Sequence, residues 1–110
     1  MAHLSAVTDE NFETEVVQSI LPVLVDFWAA WCRPCQLLGP VLEELATEYP
    51  NTLRIVKMDV ESNTAIPEKH NIRGIPAMVL YQNGKIVATT AGFMPKNKVI
   101  EFIEGHVSLK

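Results

Sequence analysis

Cys32 and Cys35 are the only cysteines in the chain, two residues apart within Trp31-Cys32-Arg33-Pro34-Cys35-Gln36. A pair so spaced can serve as a redox couple, as half of a metal site, or as an inert crosslink. A structural zinc site needs four ligands, commonly a second close pair of Cys or His. His3, His70 and His106 are scattered and supply no such pair, so no metal site is expected. All three histidines read as solvated surface residues, with His106 favoured by the dipole at the end of the last helix. A crosslink closing so short a loop removes little entropy from the unfolded chain. What the spacing does suit is thiol–disulfide exchange. Once one cysteine has bonded to a foreign sulfur, the other is one helical turn away and can displace it.

The flanking elements favour that chemistry. Val23 to Trp28 is nearly all apolar, as expected of a strand covered on both faces in the middle of a sheet. From Pro34 to Tyr49 the period becomes helical, with Leu38, Val41, Leu42, Leu45 and Tyr49 on one face. Cys32 thus falls at a strand-to-helix junction, where unpaired N–H groups and the positive helix end stabilise a thiolate. Pro34 suits the first turn, where its missing N–H has no role. Cys32 is expected to be the exposed nucleophile, and Cys35, a turn inside, the shielded thiol that is more often protonated. Pro40 predicts a kink about one turn past the cysteines.

Alternation along the strand puts Leu24, Asp26 and Trp28 on one face, so Asp26 occupies a core position. It is either a charge on a partly open edge or a buried carboxylate with a raised pKa, able to accept the proton of Cys35. Lys57 alternates with Leu53 and Ile55 on the next strand. Its stem either packs in the core or snorkels to solvent. Trp28 reads as core, and Trp31 as part of an apolar surface that receives substrate.

The remaining elements follow in order. Leu4 to Val7 predicts an edge strand, and Thr8-Asp9-Glu10-Asn11 a helix start. Phe12, Val16 and Ile20 form that helix's buried stripe, stopped by Pro22. Leu53 to Met58 is a strand. Ser62 to His70 is a short irregular helix capped by Ser62 or Asn63, with Pro67 near its first turns. Met78 to Tyr81 and Ile86 to Thr90 flank Asn83-Gly84, a strong hairpin signal, and a bulge is expected near Gly92. Pro95 opens a last helix with Val99, Ile100, Ile103 and Val107 inward and Lys96, Glu101 and Glu104 outward. The order βαβαβαββα predicts an α/β mixed sheet with helices on both faces.

The chain has 110 residues, room for one domain spanning 1–110. Hydrophobic residues make up 48% and charged residues 20%, which excludes wholesale disorder. A net charge of −4 gives no reason to expect nucleic acid or anionic lipid as a partner. The apolar run from Ile20 to Trp31 contains Asp26 and is too short for a membrane span. The first residues carry no export signal, so the reducing cytoplasm is expected, where a disulfide is usually transient and catalytic.

Val25-Asp26-Phe27-Trp28-Ala29-Ala30-Trp31-Cys32-Arg33-Pro34-Cys35 resembles the active-site segment of the thioredoxin family, in its bacterial type. The likeness continues through Lys57-Met58-Asp59-Val60, Ile72-Arg73-Gly74-Ile75-Pro76 and Asn83-Gly84-Lys85, followed by Gly92. It implies a thioredoxin fold, with a five-stranded mixed sheet flanked by four helices. It implies reduction of protein disulfides through the Cys32–Cys35 couple, with Asp26 taking the proton of Cys35 and Lys57 tuning that relay. No cofactor would be bound; a flavin-containing, NADPH-dependent reductase would recycle the disulfide form. Disulfide-containing target proteins would be the other partners; apart from the resemblance, a monomer is the default expectation. The Ile75–Pro76 bond, by default trans, would be cis and face the cysteines. Trp31, Gly74, Ile75, Pro76 and Gly92 would shape the substrate groove, the two glycines by close backbone approach or unusual dihedrals.

Arg33 stands where the family commonly has glycine. Its guanidinium should favour the Cys32 thiolate, within the limits of solvent screening, and so make the protein more oxidising. With Pro34 and Lys57 it forms the redox-tuning set. Otherwise it selects acidic partners or is neutral. Gln36 replaces a common lysine and partly offsets Arg33. Ala77 and Met94-Pro95 also differ, which bears on partner choice. A disulfide oxidase or isomerase of the same fold, and a binding module that uses the groove without turnover, are the rival readings.

Overall fold

The computed structural model describes residues 4–110; His3 lies outside them. Among the described residues five strands form one sheet, in the order β1-β3-β2-β4-β5. They are β1 (Ser5–Ala6), β2 (Val23–Trp28), β3 (Arg54–Asp59), β4 (Ala77–Gln82) and β5 (Lys85–Ala91). β2 lies parallel to β3 and antiparallel to β4, and β1 runs parallel to β3 along the far edge. The helical segments are a π-helical turn (Glu13–Val17), α1 (Arg33–Glu48), α2 (Ala65–Lys69) and α3 (Lys96–Glu104).

Burial from both sides explains the apolar run of β2. Leu24 packs with Leu38, Leu42 and Leu45 of α1 and with Val99 and Ile103 of α3. Val23, Val25 and Phe27 face the opposite layer, with Phe12, Val16 and Met58. This alternation fixes the strand's register, since a slip of one residue would exchange the two faces. Lys96 fastens α3 to α1 by ion pairs with Glu44 and Glu48. Arg54 ties the start of β3 to the π-helical turn through the Glu15 carboxylate (2.7 Å) and backbone oxygen (2.6 Å).

Several expectations need correction. The first helix is a five-residue π-helical turn, and Ile20 is 97% exposed rather than part of a buried stripe. Phe12 and Val16 do pack inward, but the helix ends at Val17, and Ser19 bonds to Leu21 to turn the chain. α2 starts at Ala65, and Thr64 occupies its N-cap position without a side-chain bond. His70 is half-buried, not a surface residue; its Nδ1 bonds to Ile66 O at 2.8 Å and its Nε2 to Tyr81 Oη. The irregularity of the β4–β5 ladder falls at Leu80/Tyr81, not at Gly92. Val107 is buried but lies beyond α3. Pro40 lies inside α1, which continues to Glu48. The hairpin forms as expected, with Asn83 and Gly84 both at positive φ, 54° and 77°.

No described helix is long and apolar enough to cross a membrane.

Candidate active site

The site forms where β2 hands over to α1. Cys32 is the N-cap of α1, with extended backbone (φ −88°, ψ 108°), and Arg33 and Pro34 fill the first helical positions. Because no preceding carbonyls compete for the first-turn amides, the Cys35 N–H donates to Cys32 Sγ at 3.2 Å. The same amide and the helix dipole would favour a thiolate once the pair is reduced. In this structure Cys32 and Cys35 are joined by a disulfide, with Cα atoms 5.3 Å apart. The preceding loop is fixed by Cys32 N–H to Ala29 O (3.1 Å) and by Gln36 Nε2–H to Ala30 O (2.7 Å). Gln36 therefore does more than remove a charge: its amide staples the loop carrying Trp31.

Cys35 is fully buried, and Cys32 is only 3% exposed, so the expected exposed nucleophile is not seen in the disulfide state. The sulfur is taken up by its partner, and the residue packs with Ala29 beneath Trp28, Val60 and Ile75. Exposure of the neighbourhood comes instead from Trp31, at 68%, and from Arg33 and Pro34.

Asp26 is 0% exposed and lies in β2 on the face covered by α1. Neither carboxylate oxygen has a hydrogen-bond partner among the described residues. Burial pushes its pKa up from 3.8 to about 7, while the positive charge of Lys57 pulls the other way. Asp26 and Lys57 are register partners across β2 and β3. Lys57 is half-buried, with Nζ 5.4 Å from the centroid of the Trp28 ring. The strand-edge reading of Asp26 fails on this position, while the half-buried Lys57 has its stem against the sheet face that Asp26 shares.

The third part is the loop before β4. The Ile75–Pro76 bond is cis. Gly92, at φ 89°, donates its N–H to Pro76 O at 2.7 Å, so its left-handed backbone closes the turn against the proline. Gly74 has neither a positive φ nor any atom within contact of a Cβ placed there, so its expected close approach is absent. A shallow groove beside the cysteines is lined by Trp31, Val60, Pro67, Ile72, Arg73, Gly74 and Ile75. Of the residues expected to shape it, Trp31, Gly74 and Ile75 line this groove and Pro76 and Gly92 do not; Val60, Pro67, Ile72 and Arg73 join the lining through the packing of α2 and the loop after it, which no local pattern announces. Among the described residues no cluster of three or more His, Cys, Asp or Glu side chains could hold a metal ion.

A buried disulfide at a helix N-terminus, a buried carboxylate on the adjoining strand and a cis-proline loop beside it invite comparison with known proteins. A family model described as Thioredoxin matches residues 3–105. The chain is 44% identical over 107 residues to a thioredoxin of Haemophilus influenzae, covering 97% of this chain and 100% of that one. It is 45% identical over 103 residues to a thioredoxin of Rickettsia bellii, covering 94% and 98%. Thioredoxin C-2 of Corynebacterium nephridii is 47% identical over 100 residues, covering 91% and 93%. With sheet order, cysteine pair and sequence in agreement, the chain belongs to the thioredoxin family and is a thiol–disulfide oxidoreductase.

Proposed function

We propose that the chain reduces disulfides in target proteins, with Cys32 as nucleophile and Cys35 as resolving thiol. In the reduced protein, the Cys32 thiolate attacks one target sulfur. The target disulfide breaks, its second sulfur leaves as a thiolate, and a Cys32–target disulfide forms. Cys35 then gives its proton to the Asp26 carboxylate, and its thiolate attacks Cys32 Sγ. The first target sulfur leaves as a thiolate, and the two electrons of the dithiol now reside on the target. Cys32 and Cys35 end as the disulfide present here. The observation that carries this reading is the fully buried Asp26, without a hydrogen-bond partner at either oxygen among the described residues, on the sheet face covered by the helix bearing Cys35.

Trp31, Gly74, Ile75, Pro76 and Gly92 form the surface that receives the target, and Arg33, Pro34 and Lys57 set the balance between thiol and disulfide. Electrons return from NADPH through a flavin-containing reductase, and the chain itself holds no cofactor. We read it as one domain over 1–110, a monomer working in the cytoplasm, with no nucleic-acid or membrane partner.

Dithiothreitol-driven reduction of insulin tests this. Wild type accelerates it, Cys32→Ser abolishes it, and Cys35→Ser accumulates covalent complexes with targets. A wild type no faster than dithiothreitol alone overturns the enzyme reading and leaves a binding module. Arg33 favours a second reading, an oxidase or isomerase, and equilibration with a glutathione buffer separates that from the reductant.

A further inference from the structure

One wall of the groove hangs from α2, a helix of five residues. A helix this short does not hold itself in water, and its own N-cap residue, Thr64, makes no side-chain capping bond. Asp9 supplies the missing acceptors from 55 to 57 positions earlier in the chain. Its Oδ2 accepts the N–H groups of Thr64 and Ala65, each at 3.1 Å, and its Oδ1 accepts that of Ile66 at 2.9 Å. The Asp9 N–H in turn donates to Asn63 Oδ1 at 2.9 Å, and the buried Asn63 donates through Nδ2 to Asp59 O at 3.1 Å.

The other end of α2 is tied to the sheet. In the neutral tautomer that these contacts select, His70 Nδ1–H donates to Ile66 O (2.8 Å) and Nε2 accepts the Tyr81 hydroxyl on β4. The His70 ring stands edge-on to Phe12 at 5.5 Å between centroids. Between the two ties lies Pro67, and the Ile72 N–H donates to Pro67 O at 3.0 Å, so Ile72 and Arg73 follow wherever α2 sits. Pro67, Ile72 and Arg73 are groove-lining residues beside Trp31.

We propose that Asp9 and the His70–Tyr81 pair are positioning residues for polypeptide targets. They fix α2 so that Pro67, Ile72 and Arg73 present a set wall to the chain on either side of a target disulfide. They touch neither the reacting sulfurs nor Asp26. The inference rests on the reading that this groove receives the target. It separates two kinds of substrate: a protein disulfide needs the wall, and a small soluble disulfide needs only Cys32 and Cys35.

The test is steady-state kinetics of Asp9→Ala, Asp9→Asn and His70→Phe on insulin and on a small aromatic disulfide, with the thiol–disulfide equilibrium against glutathione measured on each. Asp9→Asn loses one of the two carboxylate acceptors, and His70→Phe keeps the ring while deleting both hydrogen bonds; these two carry the test if Asp9→Ala does not fold. KM for insulin is expected to rise roughly three- to tenfold in the folded variants, with kcat, the small-disulfide rate and the glutathione equilibrium each within about twofold of wild type. Amide exchange at Thr64, Ala65 and Ile66 should quicken in the Asp9 variants. An unchanged KM in folded variants overturns the proposal, as does an equal loss on both substrates. Failure of wild type to turn over insulin would instead strike the reductase reading itself.

Discussion

Asp26 and Lys57 sit opposite one another on the parallel strands β2 and β3, on the face covered by α1, yet neither Asp26 oxygen accepts a hydrogen bond among the described residues. Lys57 offsets the burial of the carboxylate without cancelling it, and the pKa of Asp26 stays near 7. Stability follows from that value. The group is protonated in the folded chain and ionised in the unfolded chain between its ordinary 3.8 and about 7. The unfolded state therefore holds fewer protons in this window, and stability falls as pH rises through it. Asp26→Asn removes the titration. Urea unfolding with the disulfide intact should show the variant equal to wild type below about pH 4 and more stable by roughly 4 kcal/mol at pH 8. A difference independent of pH would contradict this origin.

The same carboxylate should set the pH dependence of the resolving step. Starting from a preformed Cys32 mixed disulfide, target release should rise with pH around a midpoint of about 7 in wild type. Asp26→Asn should slow release at neutral pH by roughly a hundredfold. Lys57→Met should move the midpoint upward, since the lysine lowers the Asp26 pKa. A downward or absent shift would show that Lys57 acts in another way.

Arg33 occupies the first turn of α1 beside Cys32 and is exposed. Solvent weakens its field at the sulfur, so the effect is modest. Against a glutathione buffer, Arg33→Gly should shift the equilibrium toward the disulfide by roughly two- to fivefold, making the variant the stronger reductant. An unchanged equilibrium, or a shift toward the dithiol, would remove Arg33 from the tuning set.

Gly84 carries a backbone demand with no part in the chemistry. Its φ is 77°, and a Cβ there would lie 3.0 Å from the backbone oxygen of Val17. Gly84→Ala should lower stability by about 1–3 kcal/mol in urea titration, while the ratio of insulin to small-disulfide turnover stays as in wild type.

Legibility in the sequence tracked how local each interaction is. β2, α1 and the β4–β5 hairpin could be read because their signals are contained in runs of a few residues: an apolar strand, a helical stripe, Asn83-Gly84. Alternation put Asp26 at a core position of β2, and only the sheet order, with β3 and β4 on either side, removes the open-edge reading. Ile20 could not be placed, since a π-helical turn ending at Val17 and a bend through Ser19 and Leu21 turn the stripe outward. The cap of α2 was hidden for another reason: Asp9 lies 55 to 57 residues from the amides it satisfies. His70 reads as a surface residue until Tyr81 and Phe12 are brought beside it by the sheet. Cys32 is 3% exposed because its disulfide partner and Ala29 pack around it, and that packing is not written in any local run of residues.

β2 is bonded on both sides, by six register pairs to β3 and five to β4, and Cys32 follows its last residue by four positions. A target joined to Cys32, as proposed, would be tied to the middle of the sheet and not to a border strand. The residue proposed to capture the target thus follows a strand whose backbone is paired along both edges.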